Sequence, residues 1–267
     1  MQDFLLDAKS GWVGYKHELT RAPLCRSVSM HMHSRYELIH FLAGDATHVV
    51  EDRCYKLRAG DLILLQPMKY HFIQIDSSAD YERFIVGFDE ELMGEGIGEL
   101  IEGLPEVINV SDAPDVLQVF DRMRYYRTHL SDADMKRLFP SLVTELIYSV
   151  TIAARGESVR RATQINPILT DAIAYINENL LTLKSISEIA EHLFITEGYL
   201  FHLFKKELKE TPRRYVTDKR LLRAQAMIQG GERPSDVCFK CGFADYATFY
   251  RNYKQLFKRS PSDDATA

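Results

Sequence analysis

The chain has 267 residues, of which 46% are hydrophobic and 27% are charged, as expected for a globular protein with about two domains. No run of about 18 or more apolar residues is present and the start lacks the pattern of a secretory signal, so we expect neither a membrane protein nor a secreted one. Four cysteines, Cys25, Cys54, Cys238 and Cys241, do not make a disulfide framework in a chain of this length, and we expect a cytoplasmic protein with reduced thiols.

The net charge of −5 is divided unevenly along the chain. Residues 165–262 hold 15 Lys and Arg against 11 Asp and Glu, a net charge of +4. Residues 1–164 hold 18 against 25, a net charge of −7, and Asp263 and Asp264 supply the remaining −2. A basic carboxyl-terminal part beside an acidic amino-terminal part is typical of a polyanion-binding module joined to a separate domain.

Short strands are predicted between about residues 12 and 90. Turn residues separate them, at Gly44-Asp45, Gly60-Asp61 and Pro67, and the intervals suit an antiparallel barrel or sandwich. The predicted strands are Glu37–Leu42, His48–Glu51, Asp61–Leu65, His71–Ile75 and Arg83–Phe88.

Helical periodicity follows between about Pro114 and Ala154. Apolar residues recur at three- and four-residue spacing on both sides of a break near Leu130-Ser131-Asp132, which predicts a helical hairpin. Two roles remain open for this hairpin: to cover the barrel, or to form a dimer interface with a second chain. Residues 156–164 have the polar composition of a linker, and Asn166-Pro167 then begins a new helix with Asn166 as its N-cap.

An internal repeat occupies residues 180–262. Ile189–Leu193 aligns with Val237–Cys241 at an offset of 48, and after the extra Gly242 the offset becomes 49, so that Thr211-Pro212 aligns with Ser260-Pro261. Each copy predicts a short helix, a tight turn and a second helix, which is the helix-turn-helix arrangement. The first copy turns at Phe194-Ile195 and restarts at Thr196, and the second turns at Gly242–Ala244 and restarts at Asp245.

The second helix of each copy has two distinct faces. Apolar residues point inward, namely Leu200, Leu203 and Phe204 in the first copy and Phe249 and Tyr253 in the second. The outer faces are predicted to lie in a major groove, where Arg251 can pair with guanine and Phe201 or Tyr250 can contact thymine methyl groups. The outer faces carry Gly198, Phe201, His202 and Lys205 in the first copy and Ala247, Tyr250, Arg251 and Lys254 in the second. Lys205, Lys206, Arg213, Arg214 and Lys254 flank the helices and suit phosphates, and Tyr246 and Thr248 complete the predicted DNA-binding set.

A long helix from Pro212 to Ile228, ended by Gly230-Gly231, is predicted to join the two copies. Its rigidity would fix the separation of the reading helices, because successive major-groove segments on one face of DNA lie about 34 Å apart.

These roughly 100 residues resemble the AraC/XylS family of bacterial transcription regulators. The most specific match runs from Lys219-Arg220 through Cys241–Asp245 and Phe249–Lys254 to Ser260-Pro261. The sequence departs from the family at His202, where arginine is frequent, at Gly198, and at Cys238, which replaces the usual alanine. The resemblance implies double-stranded DNA as partner, activation of transcription by contact with RNA polymerase, and a sugar or related metabolite as effector. A homodimer is expected as well, because the helical hairpin can pack on the same hairpin of a second chain.

The amino-terminal region resembles a cupin-like sensor domain. His31, His33, Glu37 and Gly44 fit the spacing H-x-H-x3-E-x6-G, and Gly60-Asp61, Pro67 and His71 follow, with Gln66 and Met68 at degenerate positions of the second motif. His31, His33, Glu37 and His71 can supply ligands to a divalent metal, but we prefer an effector pocket without metal or other cofactor. Cys238 and Cys241 form a lone CxxC pair that we expect to pack within a helix and not to bind zinc.

The predicted organisation is therefore multidomain, with residues 1–110 as the effector-sensing β domain, 111–155 as the hairpin, 156–164 as the linker and 165–262 as an all-α DNA-binding domain. A non-enzymatic, ligand-responsive regulator is the preferred function. Two alternatives remain: a metal-dependent cupin enzyme with an appended helical domain, and a regulator whose barrel binds another protein or only dimerises. No catalytic triad, phosphate-binding loop or dinucleotide fingerprint supports other chemistry.

Overall fold

The structure is a computed structural model that describes residues 4–8, 11–23, 26–27, 31–89, 96–155, 162–164 and 166–265. The described residues form two compact units. The first unit lies within residues 1–28, 35–49 and 55–162, and the second within residues 29–34, 50–54 and 163–267.

Antiparallel strands build most of the first unit. They are β1 (Phe4–Ala8), β2 (Gly11–Thr20), β3 (Arg26–Ser27), β4 (Tyr36–Ala43), β5 (Ala46–Val50), β6 (Arg53–Lys56), β7 (Asp61–Leu65), β8 (His71–Ile75), β9 (Tyr81–Phe88) and β10 (Val107–Asn109). One sheet has the order β1-β2-β9-β4-β7-β10, and a second contains β6-β5-β8-β3. In the first sheet Ile39 of β4 pairs with Ile63 of β7 on one side and with Ile85 of β9 on the other.

The five predicted strands are confirmed, but the predicted range of about 12 to 90 is too narrow. Strand β1 precedes it, and β10, which pairs with β7 through Val107 and Ile63, follows it. A strand of three residues is too short to show alternation in the sequence, and its pairing depends on a partner more than 40 residues earlier in the chain.

The described residues of the first unit also form three helices: α1 (Ile97–Glu102), α2 (Pro114–His129) and α3 (Asp132–Ala154). Ser131 caps α3 by accepting a hydrogen bond from the backbone N–H of Asp134. Met123 of α2 and Phe139 of α3 are buried in one core with Leu38 and Phe84 of the first sheet. The helical hairpin α2–α3 therefore covers the first sheet, which is one of the two roles that the sequence left open. It does so because the apolar stripe of each helix faces the sheet.

The second unit is mainly helical. Its helices are α4 (Pro167–Asn179), α5 (Ser187–His192), α6 (Glu197–Leu203), α7 (Pro212–Gln229), α8 (Pro234–Lys240), α9 (Tyr246–Phe257) and α10 (Pro261–Ala265). The predicted linker differs at its end, because Thr163–Gln164 forms a short strand, β11, that pairs antiparallel with Cys54 and Arg53. Residues 156–161 of that linker, as well as Cys25, lie outside the described residues.

Caps and turns of the second unit agree with the predictions. Asn166, Thr196 and Asp245 each accept a hydrogen bond from a backbone N–H in the first turn of the following helix. Phe194 and Gly242 both have a positive φ, of 54° and 76° respectively. Their backbone N–H groups donate to the carbonyl oxygens of Glu191 and Phe239, which correspond at an offset of 48. Phe194 and Gly242 therefore correspond as well, and the extra residue of the second copy lies after Gly242 and not at Gly242 as the sequence alignment predicts. The tight turn thus requires the same left-handed residue in each copy.

Among the described residues, no helix is both long and apolar enough to cross a lipid bilayer.

Candidate nucleic-acid interface and effector site

The inner faces of α6 and α9 are buried as predicted. Leu200, Leu203 and the following Phe204 are almost inaccessible, and so are Phe249 and Tyr253. The second copy closes around the small residue Cys238, which packs in one core with Phe249 and Tyr253. Each second helix is therefore held by its apolar face, which leaves the opposite face for a partner.

The outer faces carry the residues predicted to read DNA. Phe201 is 49% exposed and Tyr246 is 36% exposed, so both rings are accessible to a partner. Thr248, Tyr250 and Arg214 are half-buried. The exposed members of the predicted set are Gly198, Phe201, His202, Lys205, Lys206, Arg213, Tyr246, Ala247, Arg251 and Lys254.

The two reading helices differ in regularity. Helix α9 is regular over 12 residues, whereas α6 ends at Leu203 and continues into a π-helical turn, Phe204–Leu208, that closes at Lys209 with φ 59°. Lys205 and Lys206 lie on this wider turn and not on the regular helix that the sequence predicts. The spacing of apolar residues does not predict a π-helical turn, because such a turn changes the number of residues per helical turn only over a few residues.

The helices also differ in charge. Lys206 pairs with Glu207 at 3.1 Å, and Lys205 lies 4.0 Å from Glu210. By contrast, neither Arg251 nor Lys254 of α9 forms an ion pair within the part of the chain that the structure describes. The α9 cations thus form no ion pair within the described residues, although Asp245 and Asp263 interact electrostatically with Arg251 and Lys254 at longer range.

The start of α9 is fixed by hydrogen bonds. Asp245 accepts from the backbone N–H of Thr248 at 2.7 Å, and this bond is the main reason that the pKa of the Asp245 carboxyl is lowered. The Arg251 guanidinium donates to the Thr248 hydroxyl at 3.2 Å, so its side chain is directed along the first turns of the helix. A partly oriented arginine loses less conformational freedom on binding a base.

The buried side of α9 is anchored to the end of the chain. The Tyr253 hydroxyl donates to Asp264 Oδ2 at 2.5 Å, and the Arg259 guanidinium pairs with Asp264 Oδ1 at 2.8 Å. Burial and the neighbouring carboxylate both raise the pKa of Tyr253, so this phenol remains a hydrogen-bond donor. Gln225 of α7 also donates to Asp264, so this carboxylate joins α9 to α7.

Arg220 of α7 has a role that the sequence does not reveal. Its guanidinium donates to the carbonyl oxygens of Leu180 at 2.8 Å, of Gly242 at 2.8 Å and of Leu183. Burial lowers the pKa of Arg220. Since these carbonyls lie 22 to 40 residues away in the sequence, periodicity gives no signal for them, although Arg220 itself falls in the family motif.

Glu37 and His71 meet inside the first unit. Glu37 lies on β4 and His71 on β8, both are buried, and Nε2 of His71 lies 3.4 Å from Oε2 of Glu37. The other ring nitrogen of His71, Nδ1, lies 3.0 Å from the backbone carbonyl oxygen of Lys69, and the ring of His48 stacks on the His71 ring at 6.0 Å. A buried carboxylate facing an imidazole suits recognition of a polar ligand.

His31 and His33 belong to the second unit, whereas Glu37 and His71 belong to the first. The two histidine rings lie 6.0 Å apart. A common pocket for the four residues therefore stays a prediction, as does the expectation that no metal occupies it.

The CxxC cysteines lie in a helix core. Both Cys238 and Cys241 are buried, and Cys241 Sγ donates to Met227 Sδ at 3.7 Å. Burial raises the pKa of both thiols, that of Cys241 to about 11, which disfavours the thiolate that metal binding requires.

Comparisons with known proteins agree with this geometry. An AraC-like ligand binding domain matches residues 23–125, and a helix-turn-helix domain matches residues 189–266. Regulatory protein SoxS of Escherichia coli (strain K12) is 31% identical over 97 residues, which cover 36% of this chain and 91% of SoxS.

Two longer matches span both units. The raffinose operon transcriptional regulatory protein RafR of Pediococcus pentosaceus is 24% identical over 212 residues, covering 77% of this chain and 75% of that protein. The lactose operon transcription activator of Staphylococcus xylosus is 22% identical over 222 residues, covering 82% and 80%. The chain therefore belongs to the AraC/XylS family and is an effector-controlled, DNA-binding regulator of transcription.

Proposed function

We propose that the chain reads one DNA duplex with α6 and α9 together and that α9 makes the decisive base contact through Arg251. The supporting observation is the exposed outer face of α9, whose Arg251 and Lys254 have no carboxylate at ion-pair distance among the described residues. Helix α6 offers Phe201 and His202, which suit thymine methyl groups and base edges better than phosphates.

Binding of fluorescent duplexes tests this assignment. The duplex is first selected from a random pool by the wild-type protein, and binding is then compared with that of a scrambled duplex. Arg251→Ala should lower affinity for the selected duplex by about 10- to 100-fold and change the scrambled duplex far less, because one bidentate base contact is worth about 1–3 kcal/mol.

Lys254→Ala should weaken both duplexes alike and reduce the salt dependence, because a lost phosphate contact releases fewer counterions. Lys136→Ala, an exposed lysine on α3, is the matched control and should change neither. If Arg251→Ala weakened both duplexes equally, the base-reading role of Arg251 would be wrong.

We propose that Glu37 and His71 bind the effector, a sugar or related metabolite. The support is their buried contact together with the two sugar-operon relatives, RafR and the lactose operon transcription activator. A carboxylate and an imidazole can bind sugar hydroxyl groups as hydrogen-bond acceptor and donor. His31 and His33 are proposed for the same pocket on the resemblance alone.

Calorimetric titration with a panel of mono-, di- and trisaccharides, including raffinose and lactose, tests the effector site. A binding sugar should lose at least tenfold in affinity in Glu37→Gln and His71→Ala and much less in His17→Ala, a partly buried histidine paired with Glu82. Metal analysis of wild type and of the His31→Ala/His33→Ala variant should find no stoichiometric metal, and a 1:1 metal lost in the variant would contradict the metal-free pocket.

We further propose that the protein acts in the cytoplasm as a homodimeric activator that contacts RNA polymerase. The family resemblance supports activation, and the exposed Tyr148 and Ile152 on α3 support a second copy as partner. Transcription in vitro with purified polymerase and a promoter carrying the selected duplex distinguishes an activator from a repressor by the direction of the change.

A further inference from the structure

The two-residue turn Glu51-Asp52 joins β5 to β6, and the segment around it, Val50–Cys54, belongs to the second unit together with the DNA-binding helices. In the sequence this turn falls inside the region that matches the AraC-like ligand binding domain, residues 23–125. The sequence therefore places these residues in the ligand-binding region, whereas the structure groups them with the helical unit.

Glu51 in this turn contacts the connector helix α7 through buried polar groups. Its Oε1 lies 3.0 Å from Nζ of Lys219, and the Tyr215 hydroxyl donates to its Oε2. Lys219 also donates to Oδ1 of Asn177 on α4 at 2.7 Å. Only 3% of the Glu51 side chain and 6% of the Lys219 side chain are exposed.

The backbone of Glu51 supports a specific role for its side chain. Its φ is 51°, in the left-handed region that glycine and asparagine tolerate and that other residues avoid. A strained residue persists where the surrounding structure stabilises it. Here the stabilising contacts are those of the carboxylate with Lys219 and Tyr215, which a glycine could not make.

Both partners of Glu51 lie on α7, the helix that separates the two helix-turn-helix copies. Tyr215 and Lys219 are one turn apart on α7, which connects α6 to α8. A buried ion pair depends strongly on both partners, because removing one leaves the other charge in a poorly solvated site. The exposed reading residues Phe201 and Arg251 take no part in it, so Glu51 does not block the DNA face.

We propose that Glu51 is a positioning residue for DNA binding: its ion pair with Lys219 holds α7, the helix that joins the two helix-turn-helix copies. This inference rests on the proposed use of α6 and α9 on one duplex. Displacement of the Val50–Cys54 segment would loosen α7 and lower the affinity for specific DNA, while the exposed lysines would still bind DNA of any sequence.

The full chain tests the proposal with two measurements: hydrogen exchange across residues 212–229, and affinity for the selected and scrambled duplexes. Glu51→Gln keeps the side-chain size but removes the charge. It should speed exchange in α7 and weaken binding to the selected duplex at least tenfold, with less than a twofold change for the scrambled duplex. Asp52→Asn, the neighbouring carboxylate in the same turn, should change neither measurement.

Two further variants separate positioning from general stability. Glu51→Gln/Lys219→Met replaces the charged pair by neutral groups of similar size and should recover slow exchange in α7 relative to Glu51→Gln, because no charge is then buried without its partner. Glu51→Gly relieves the backbone strain, so it should raise the thermal unfolding midpoint if Glu51 is merely a turn residue and lower it if the carboxylate matters.

The proposal is overturned if Glu51→Gln leaves α7 exchange and specific affinity within twofold of wild type, or if Glu51→Gly is more stable with unchanged DNA affinity. Absence of any duplex binding by the wild type would contradict the proposed function instead, and the exchange comparison would then decide separately whether Glu51 holds α7.

Discussion

Gly242→Ala provides a sensitive test of how the second helix-turn-helix is held. Gly242 has a φ of 76°, and a Cβ at this position would lie 2.8 Å from Cζ of Arg220 and 2.8 Å from the carbonyl oxygen of Leu181. Contacts below 3.0 Å do not persist, so the Arg220 guanidinium has to move. That group donates to three carbonyl oxygens that tie the second turn to the residues after α4.

The expected cost follows from two contributions. The left-handed conformation costs an alanine about 1–2 kcal/mol relative to glycine. Loss of a single hydrogen bond from a charged donor adds about 1.5–3 kcal/mol. Together they predict a destabilisation of about 2.5–5 kcal/mol, a large fraction of the roughly 5–15 kcal/mol that stabilises a typical domain.

Urea denaturation followed by circular dichroism at 222 nm measures this loss, and hydrogen exchange in residues 234–257 shows whether it is local to the second copy. Phe194→Ala is the matched control, because Phe194 occupies the corresponding turn position with φ 54° while its side chain is 96% exposed. It should change stability by less than about 0.5 kcal/mol. A loss below about 1 kcal/mol for Gly242→Ala would refute the role assigned to the Arg220 contacts.

Three other predictions concern separate parts of the chain. Burial lowers the pKa of His40 from 6.5 to about 4, so the unfolded state binds more protons than the folded state between these two pH values. The free energy of unfolding should therefore fall by about 3 kcal/mol as the pH drops from 6.5 to 4. Urea titrations of His40→Leu should show that this contribution is lost. Ile152→Glu on the exposed face of α3 should shift a dimer towards monomer in analytical ultracentrifugation, whereas an unchanged sedimentation coefficient would exclude this face as the interface. Cys238 and Cys241 should react with a thiol reagent at least tenfold more slowly than the half-buried Cys54 in the folded protein, and equal rates would contradict their burial.

The sequence was sufficient for the helical unit because its signals are local. Thr196 and Asp245 stand directly before helices whose inward residues recur at three- and four-residue spacing, and both act as N-caps in the structure. The internal repeat supports the same helix-turn-helix prediction a second time, from an independent stretch of sequence. The alignment misplaced the extra residue of the second copy, because the left-handed positions Phe194 and Gly242 are recognised as equivalent by their backbone hydrogen bonds and not by residue type.

The contacts that hold these helices could not be predicted in the same way. Arg220 and Asp264 act through partners that are brought near only by the tertiary fold, and the π-helical turn after Leu203 alters the helix without any break in the apolar pattern. The ion pair of Glu51 is the extreme case, because Lys219 lies more than 160 residues away in the chain. Long-range polar contacts leave no periodic trace in a single sequence.

Glu51 nevertheless leaves one local signal that sequence reading can use. A two-residue connection between strands favours residues such as Asn or Gly that accept a positive φ, whereas this chain places Glu51-Asp52 between β5 and β6. An unfavourable residue at a tight turn indicates that its side chain contributes more than the backbone loses. Here that contribution is the buried contact of Glu51 with Lys219 on α7, the helix between the two helix-turn-helix copies. The same residue whose positive φ destabilises the turn thus makes the contact through which we propose that the turn affects DNA binding.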